Sequence, residues 1–276
     1  ESSKAIAATW LALGLDTDNV TFYRQSDIPE ITQLSWVLTC NASKGLMNRA
    51  HAYKAAVQDN LDSGEQDGDK GVNMGLFSYP VLMAADMLMF NANKVPVGKD
   101  QIQHIEMARD IAGRFNHHFG ETFALPEAVI DDSTKILPGL DGRKMSKSYD
   151  NTIPLFETEK KLKKAINKIV TNSLEPGEPK DFNDCAVFDI YCAFASPSDI
   201  EAMKVKFAEG IGWGFAKKEL FELVNEELKG PREEYNRLML DTAHLESVLQ
   251  KGATKARAHS EPFMQEIRKK LGLGCL

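Results

Sequence analysis

The chain has 276 residues, of which 43% are hydrophobic and 26% charged, and its formal net charge is −7. This composition is ordinary for a soluble globular protein of one or two domains. No apolar run is long enough to span a membrane, no signal-peptide pattern is present, and the four scattered cysteines form no Cys-x-x-Cys pair. These features argue against a membrane protein, a disulfide scaffold or a zinc site, and we expect a cytoplasmic protein with reduced thiols.

The charge is unevenly distributed along the chain. Residues 143–168 contain eight Lys/Arg and three Asp/Glu, a local charge of +5, and the remaining 250 residues carry −12. The total charge argues weakly against a nucleic-acid partner. A basic patch on an acidic body can nevertheless hold one polyanion in a chosen orientation.

Hydrophobic spacing predicts two helices at the start of the chain, over residues 1–15 and 29–40. Between them, residues 20–23 have the composition of a short strand. Residues 59–75 are rich in glycine and acidic side chains, so we expect a flexible surface loop there.

A compact helix is predicted over residues 79–90, with Pro80 in its first turn. Tyr79, Met83 and Asp86 have the spacing i, i+4, i+7 and therefore share one face. A single carboxylate in such apolar surroundings costs free energy unless a group donates to it. Two explanations stay open: Asp86 pairs with an arginine or caps a neighbouring backbone, or the three side chains form the floor of a ligand pocket.

Residues 95–98 predict a buried strand that ends at a glycine and is followed at once by a helix. This order places residues 98–101 at the carboxyl end of a strand, where ligands bind in open α/β sheets. Gly98 allows a close backbone approach, and the start of a helix favours phosphate groups. Asp100 and Gln103 also match a capping box, so Asp100 is an N-cap, a ligand contact or both.

Residues 141–150 predict a mobile surface loop, because Asp-Gly opens a turn and three cations and two hydroxyls follow. Such a loop can wrap a polyphosphate and neutralise charge that moves during a reaction, although it can also be a solvated basic turn. Before it, Ile136 either packs in the core or lies against an adenine ring. After it, a helix around residues 162–170 has a lysine-rich face, which is typical of a solvated surface.

From residue 181 onward the pattern is nearly continuous helix. A turn signal at Gly230-Pro231 predicts a break, after which separate helices are expected over residues 231–249 and 251–271. We therefore predict an α/β fold with two domains. The second domain is expected to be α-helical, with its boundary near residues 154–180.

Several motifs, taken in order, resemble those of bacterial tryptophanyl-tRNA synthetases, which are class I aminoacyl-tRNA synthetases. The matching segments are Tyr79-Pro80 to Asp86, Val95-Pro96-Val97-Gly98-Lys99-Asp100-Gln101, His104, Arg109-Asp110-Ile111-Ala112, Lys144-Met145-Ser146-Lys147-Ser148 and Gly252-Ala253-Thr254-Lys255-Ala256. The fifth segment matches the KMSKS signature of class I synthetases. Several motifs in the right order and spacing are far more specific than any one of them, and the related tyrosyl-tRNA synthetases fit less well.

The resemblance implies a Rossmann-like, parallel-sheet catalytic domain over residues 1–157, truncated at its start, and an α-helical anticodon-recognising domain over residues 158–276. It also implies a homodimeric enzyme that activates L-tryptophan with ATP and Mg²⁺ to tryptophanyl-adenylate and transfers it to tRNA(Trp). The implied tryptophan-binding residues are Tyr79, Met83, Asp86, Val95, Val97 and Gln101. Among them, Asp86 would accept the indole N–H, while Tyr79 and Gln101 would hold the α-amino group.

The resemblance also implies a nucleotide site. The ATP-binding residues would be Gly98, Lys99, Asp100, Ile136, Lys144, Met145, Ser146, Lys147 and Ser148. Of these, Lys144, Lys147 and Ser148 would be catalytic. We expect no dedicated protein site for a metal, because Mg²⁺ would arrive with ATP.

Two departures from the family pattern lead to alternative hypotheses for the function. The family begins with a strand and a HIGH-like motif that binds ATP, and no counterpart precedes Glu1, so we expect a fragment or a chain without half of the ATP site. Lys99 stands where the family often has an acidic residue. A non-catalytic RNA-binding or regulatory paralogue of the same fold is therefore the main alternative. A nucleotidyl-transfer enzyme acting on another acid is a weaker one.

Overall fold

The structure is a computed structural model that describes residues 2–130 and 137–274. The helices are α1 (Ser2–Ala12), α2 (Pro29–Asn41), α3 (Lys44–Met47), α4 (His51–Asp62), α5 (Met74–Leu88), α6 (Ile102–Phe119), α7 (Glu159–Asn167), α8 (Ala186–Cys192), α9 (Pro197–Ala208), α10 (Trp213–Leu240) and α11 (Thr242–Lys270). Short 3₁₀ turns lie at Gln25–Asp27, Lys99–Gln101 and Lys147–Tyr149. No helix in the described ranges is long and apolar enough to cross a membrane.

Two short strands form a parallel pair. β1 (Lys94–Pro96) lies beside β2 (Glu127–Val129), with Val95 opposite Ala128. Parallel strands need a crossover connection, and α6 provides it between β1 and β2. The predicted α/β class, with a parallel sheet and a largely helical second part, is confirmed.

The chain divides into two compact units. The first, called here the sheet unit, contains residues 17–133 and 246–276, and the second, called the loop unit, contains residues 1–16 and 134–245. The expected division at residue 157, into a catalytic domain and a helical domain, is a division by function and not by compactness. It stays a prediction.

The core of the sheet unit lies where α2, α5 and α6 meet. Leu34, Leu88 and Phe115, one from each helix, are fully buried there. The last helix of the chain, α11, belongs to the same core and contributes Met264 and Ile267 to it. Each fully buried aliphatic or aromatic side chain of this size stabilises the fold by about 1.5–3 kcal/mol.

α11 approaches the start of the sheet unit very closely. At Gly252, a Cβ atom would lie 1.7 Å from the carbonyl oxygen of Phe22, so only glycine allows this contact. Further along α11, Arg257 donates to Glu30 of α2 at 3.0 Å. α11 is thus joined to the start of the sheet unit by close packing and by an ion pair.

The loop unit has its own helical core. Leu162 and Ile166 of α7, Phe207 of α9 and Leu220 of α10 are fully buried in it. A smaller cluster packs Ala8 of α1 against the end of α10. Among the described residues, Cys40, Cys185 and Cys192 form no disulfide bond.

The structure corrects the predictions for the first 80 residues at three places, although α2 forms as expected. Residues 20–23 have an irregular backbone rather than a strand, because Phe22 packs against α11 instead of another strand. α5 begins at Met74, capped by Asn73, so Pro80 lies inside the helix rather than in its first turn. The predicted loop at 59–75 shortens to residues 63–73, and the Asn60 side chain ties it back by donating to two of its carbonyl groups.

Two of the predicted helix breaks, at Gly230-Pro231 and at residue 250, are also wrong. α10 runs without interruption through Gly230 and Pro231, and α11 continues across residue 250; the two helices separate at Asp241 instead. A proline removes one helical hydrogen bond, and the buried side chains of α10 on both sides, Leu228 and Leu238, offset that cost.

Candidate functional site

Three side chains of α5 share a face, as their spacing predicted. Tyr79, Met83 and Asp86 are each partly buried, whereas the opposite face, which includes Ala84 and Leu88, is completely buried in the core. A half-buried face that carries an aromatic hydroxyl, a thioether and a carboxylate on a rigid helix can receive an aromatic ligand with a polar N–H.

The carboxylate of Asp86 has a neutral partner. The side-chain amide of Gln25 donates to it, with Nε2 lying 2.8 Å from each of the two oxygens. The neighbouring Arg24 instead pairs with Asp27 and Glu246, at 3.0 and 2.9 Å. Burial raises the pKa of Asp86 above its usual value, and the amide of Gln25 opposes that rise. The acceptor is therefore not neutralised by an arginine among the described contacts.

Tyr79 is held by His104 of α6. Its hydroxyl lies 3.3 Å from Nε2 of His104, whose side chain is buried. Burial lowers the pKa of His104, so the imidazole is neutral at pH 7. The hydroxyl can then donate to Nε2, a tautomer assigned from the hydrogen bonding that leaves the buried Nδ1 without a partner among the described residues.

Three apolar side chains assigned to the indole ring pack at the margin of one core. Met83, Val95 and Val97 all contact the hydrophobic cluster of the sheet unit, and each keeps part of its surface exposed. The strand that carries Val95 is less buried than predicted, since Lys94 and Pro96 on either side are exposed. Its side chains alternate because only one face of this short strand meets the core.

The turn after β1 is built around Asp100. A Cβ at Gly98 would lie 2.7 Å from its Oδ1, and the amide of Gln101 donates to its Oδ2 at 3.1 Å. The predicted capping box is wrong. Gln103 points to the connection before α4 instead, where it accepts from the backbone N–H of His51 and donates to the carbonyl of Arg49. Backbone N–H and carbonyl groups at the start of α4 have no helical partner, so they hydrogen-bond the Gln103 side chain instead.

In the loop unit, the KMSKS loop (residues 141–150) closes on a buried asparagine that follows it. Asn151 is 2% exposed. Its side chain accepts from the backbone N–H of Ser146 at 2.7 Å and donates to the carbonyl of Lys144 and to Oδ1 of Asp141. A Cβ at Gly139 would lie 2.4 Å from the Asn151 amide. Sequence reasoning missed this residue, since a lone asparagine after a basic turn carries no local signal.

The cations of the loop are not equivalent. Arg143 pairs with Asp141 at 2.6 Å and lies 4.4 Å from the ring centre of Tyr149, so its charge is used within the loop. Hydrogen bonds from Asn151 and Arg143 hold the pKa of Asp141 below its usual value. Lys144 and Lys147 are exposed and have no anionic partner among the described residues. These two ammonium groups are the ones available to an external anion.

The serines of the loop form a small hydrogen-bonded turn. Ser146 caps the 3₁₀ turn by accepting from the backbone N–H of Ser148 at 3.2 Å, and their two hydroxyl oxygens lie 2.7 Å apart. Ser148 is exposed and Met145 is half-buried. The turn therefore presents hydroxyl donors beside the exposed side chain of Lys147.

Behind the loop lies a cavity of about 630 Å³ within the loop unit. Its charged lining residues are Lys144 and the four carboxylates Asp141, Asp181, Asp184 and Asp189. Four acidic groups against one cation do not suit a polyphosphate. An anionic ligand therefore belongs on the exposed side of the loop.

Two predictions for nucleotide and metal binding remain to be placed. Ile136, predicted to meet an adenine ring, lies outside the described residues. Within residues 2–130 and 137–274, His, Cys, Asp and Glu side chains form no group of three or more that could hold a metal ion.

The parallel strand pair, the half-buried carboxylate of Asp86 and the lysine–serine loop each agree with the class I aminoacyl-tRNA synthetase pattern that the motifs resemble. A family model described as tRNA synthetases class I (W and Y) matches residues 1–229, and the chain belongs to this family. The resemblance found from the motifs is thereby confirmed.

Relatives of high sequence identity include tryptophan–tRNA ligases. The tryptophan–tRNA ligase of Neisseria meningitidis is 58% identical over 273 residues, which are 99% of this chain and 81% of that protein. The tryptophan–tRNA ligase of Pseudomonas putida is 60% identical over 271 residues, and the chain spans 60% of its length. The crystal structure of tryptophanyl-tRNA synthetase from Campylobacter jejuni complexed with ADP and tryptophane matches with a TM-score of 0.86 at 46% identity, covering 98% of this chain and 82% of that one.

Proposed function

We propose that this chain acts as a tryptophan–tRNA ligase, which activates L-tryptophan with ATP and transfers it to tRNA(Trp). The observation that carries the proposal is the Asp86 carboxylate, which lies half-buried on α5 beside Tyr79 and Met83 and has a neutral amide as its partner. An acceptor in this state is suited to a neutral N–H donor on a flat apolar ring.

Recognition of tryptophan follows from the same face. Asp86 accepts the indole N–H, and Met83, Val95 and Val97 contact the ring. Tyr79, oriented by His104, and Gln101 hold the α-amino group. An amino acid without a ring N–H would leave the Asp86 acceptor without its hydrogen bond. A site of this kind favours the correct ligand over the wrong one by roughly 10⁴-fold, so such an amino acid is rejected.

Activation places the carboxylate of tryptophan in line with the α-phosphorus of ATP. One oxygen of the amino acid forms a bond to that phosphorus, the bond from phosphorus to the bridging oxygen breaks, and diphosphate leaves with the electron pair. Lys144 and Lys147 stabilise the negative charge that develops on the leaving group. Ser146 and Ser148 donate to phosphate oxygens, Met145 supports the turn, and Gly98, Lys99 and Asp100 contact the nucleotide. Mg²⁺, arriving with ATP, would supply further charge neutralisation.

Transfer completes the reaction. A terminal ribose hydroxyl of tRNA(Trp) attacks the carbonyl carbon of tryptophanyl-adenylate and forms the new ester. The bond between that carbon and the phosphate oxygen breaks, AMP leaves with the electron pair, and the hydroxyl proton passes to solvent. The protein's contribution here is to hold the two reactants in reacting geometry. Reading of the anticodon is assigned to residues 158–276.

We further propose that the protein is a cytoplasmic homodimer. Two large apolar side chains of the sheet unit support a protein–protein contact, since Trp36 is 70% exposed and Met74 is 69% exposed. Exposed aromatic and methionine side chains are enriched at such interfaces. The molar mass in solution tests this part of the proposal.

Tryptophan-dependent exchange between ATP and labelled diphosphate tests the activity. The chain should catalyse exchange with tryptophan and not with tyrosine or phenylalanine. Asp86→Ala should weaken tryptophan binding by about 10- to 100-fold, because it removes a hydrogen bond to a charged acceptor, while ATP binding changes little. Equal losses for both ligands contradict the assignment of Asp86. Absence of exchange with tRNA still bound supports the non-catalytic paralogue instead.

A further inference from the structure

The short segment before α2 is held firmly against α11. Gly252 lets the helix backbone contact Phe22, where any larger residue would collide. Arg24 donates to Asp27 at 3.0 Å and to Glu246 of α11 at 2.9 Å, so its guanidinium joins the 3₁₀ turn to the helix. Backbone position in this turn is therefore set by a helix that lies more than 200 residues later in the sequence.

Gln25 opens that turn and is directed at α5. One amide nitrogen serves both oxygens of Asp86, at 2.8 Å each. On the same segment, the ring of Tyr23 packs on Phe90, two residues after the end of α5, and burial together with the charge of Asp86 raises the pKa of this phenol to about 12. The described groups around Asp86 are thus neutral hydrogen-bonding or aromatic side chains.

The shared contact constrains the carboxylate in two ways. A nitrogen that lies 2.8 Å from both oxygens bonds the carboxylate at two points and so restricts its rotation. It also favours the ionised form, which opposes the effect of burial. Each carboxylate oxygen has further lone pairs, so both remain able to accept an N–H from a ligand.

We propose that Gln25 is a positioning residue for indole recognition, which holds the Asp86 carboxylate ionised and oriented to accept the ring N–H. The identity of the ligand in this inference rests on the proposed function. The coupling of Gln25 to Asp86 is a property of the free protein. The two can therefore be tested separately.

The first experiment needs no ligand. The Asp86 carboxyl carbon is followed by ¹³C NMR against pH in the unmodified chain, with Asp86→Asn for assignment. Gln25→Ala should raise the pKa of Asp86 relative to the unmodified chain. Gln58 provides a matched control, because its amide donates to Asp62 at 2.7 Å on α4, so Gln58→Ala should leave Asp86 unchanged. An unchanged pKa in Gln25→Ala overturns the proposal.

The second experiment measures recognition. Calorimetry compares tryptophan with its benzothiophene analogue, which has the same shape and lacks the N–H. Gln25→Ala should reduce the preference for tryptophan by about tenfold, the effect expected of one charge-assisted hydrogen bond. A general loss of structure would weaken both ligands equally and leave the preference intact, and that result contradicts a positioning role.

A third variant gives a pH signature. In Gln25→Glu two carboxylates meet at the former hydrogen-bond distance and share a proton at low pH, so tryptophan binding should be retained near pH 6. As pH rises and both ionise, repulsion should weaken binding by about tenfold or more by pH 9, while the unmodified chain and Gln58→Glu stay level. A flat profile for Gln25→Glu overturns the proposal. Failure of the unmodified chain to bind tryptophan rejects the proposed function instead, and the NMR titration still decides the coupling.

Discussion

The side-chain amide of Asn151 donates to Oδ1 of Asp141 at 2.7 Å and so joins the first residue of the KMSKS loop to the residue that follows it. The same side chain accepts from the backbone N–H of Ser146 in the middle of the loop. A loop of ten residues is therefore closed by one buried side chain, and its two exposed lysines are presented from a fixed base.

Asn151→Ala should loosen this base. It leaves a partly buried backbone N–H and part of a carboxylate without their partners, which costs about 1–3 kcal/mol of folding stability. Adenylate formation should slow while tryptophan affinity stays near normal. Chemical denaturation and pre-steady-state kinetics check the two effects. Asn183→Ala, an exposed asparagine that donates to Asp181 within a local turn, is the control and should behave as the unmodified chain. Unchanged stability in Asn151→Ala would mean that the loop closes without it.

Lys147→Ala should slow adenylate formation by roughly 10²-fold, because the exposed ammonium group is free to meet the charge that develops on the leaving diphosphate. Tryptophan affinity should not change. Rapid-quench measurement of adenylate gives the rate. Lys204→Ala is a suitable control, since Lys204 is already paired with Glu201 at 2.6 Å. If Lys147→Ala reacts at the normal rate, the loop is only a solvated turn.

His104 should make the folding stability depend on pH. Burial places its pKa in the folded protein below the value near 6.5 of the unfolded chain. The unfolded state therefore takes up the proton first as the pH falls, and the contribution of neutral His104, complete above about pH 6.5, is lost below it. Urea unfolding at pH 7.5 and 5.5 should show a smaller loss of stability in His104→Gln than in the unmodified chain. Equal losses would show that His104 titrates normally.

Gly252→Ala should destabilise the sheet unit strongly, since its Cβ would lie 1.7 Å from the carbonyl oxygen of Phe22 and the backbone would have to move. We expect a loss above about 3 kcal/mol, at the upper end for a single overpacking change. Gly113 of α6 is the matched control, because a Cβ there meets nothing within 4 Å. Gly113→Ala should stabilise by about 0.5–1 kcal/mol through helix propensity. Thermal unfolding of both variants tests the contrast, and similar midpoints would contradict it.

Much of the local structure could be predicted because it depends on short-range patterns. The apolar spacing of α2 and the shared face of Tyr79, Met83 and Asp86 follow from helix geometry alone. The KMSKS string identified its loop because so many functional groups fall within a few residues.

The remainder depends on contacts between distant parts of the chain, which periodicity does not encode. Gln25 meets Asp86 because α11 fixes the turn before α2, and nothing near Gln25 in the sequence indicates this. Pro231 reads as a helix end, but packing on both sides keeps α10 continuous. Asn151 is polar and follows a basic loop, so only the folded structure shows that it is buried.

The membership of α11 in the core of the sheet unit also bears on how this chain is made. Residues 134–245 are synthesised between the two parts of that unit. A nascent chain that has emerged only as far as α10 still lacks Met264 and Ile267, so apolar surface of α2 and its neighbours stays exposed to solvent and to chaperones. Completion of this core thus waits for the final helix to leave the ribosome, and ribosome stalling just before α11 should leave the first half of the protein sensitive to protease.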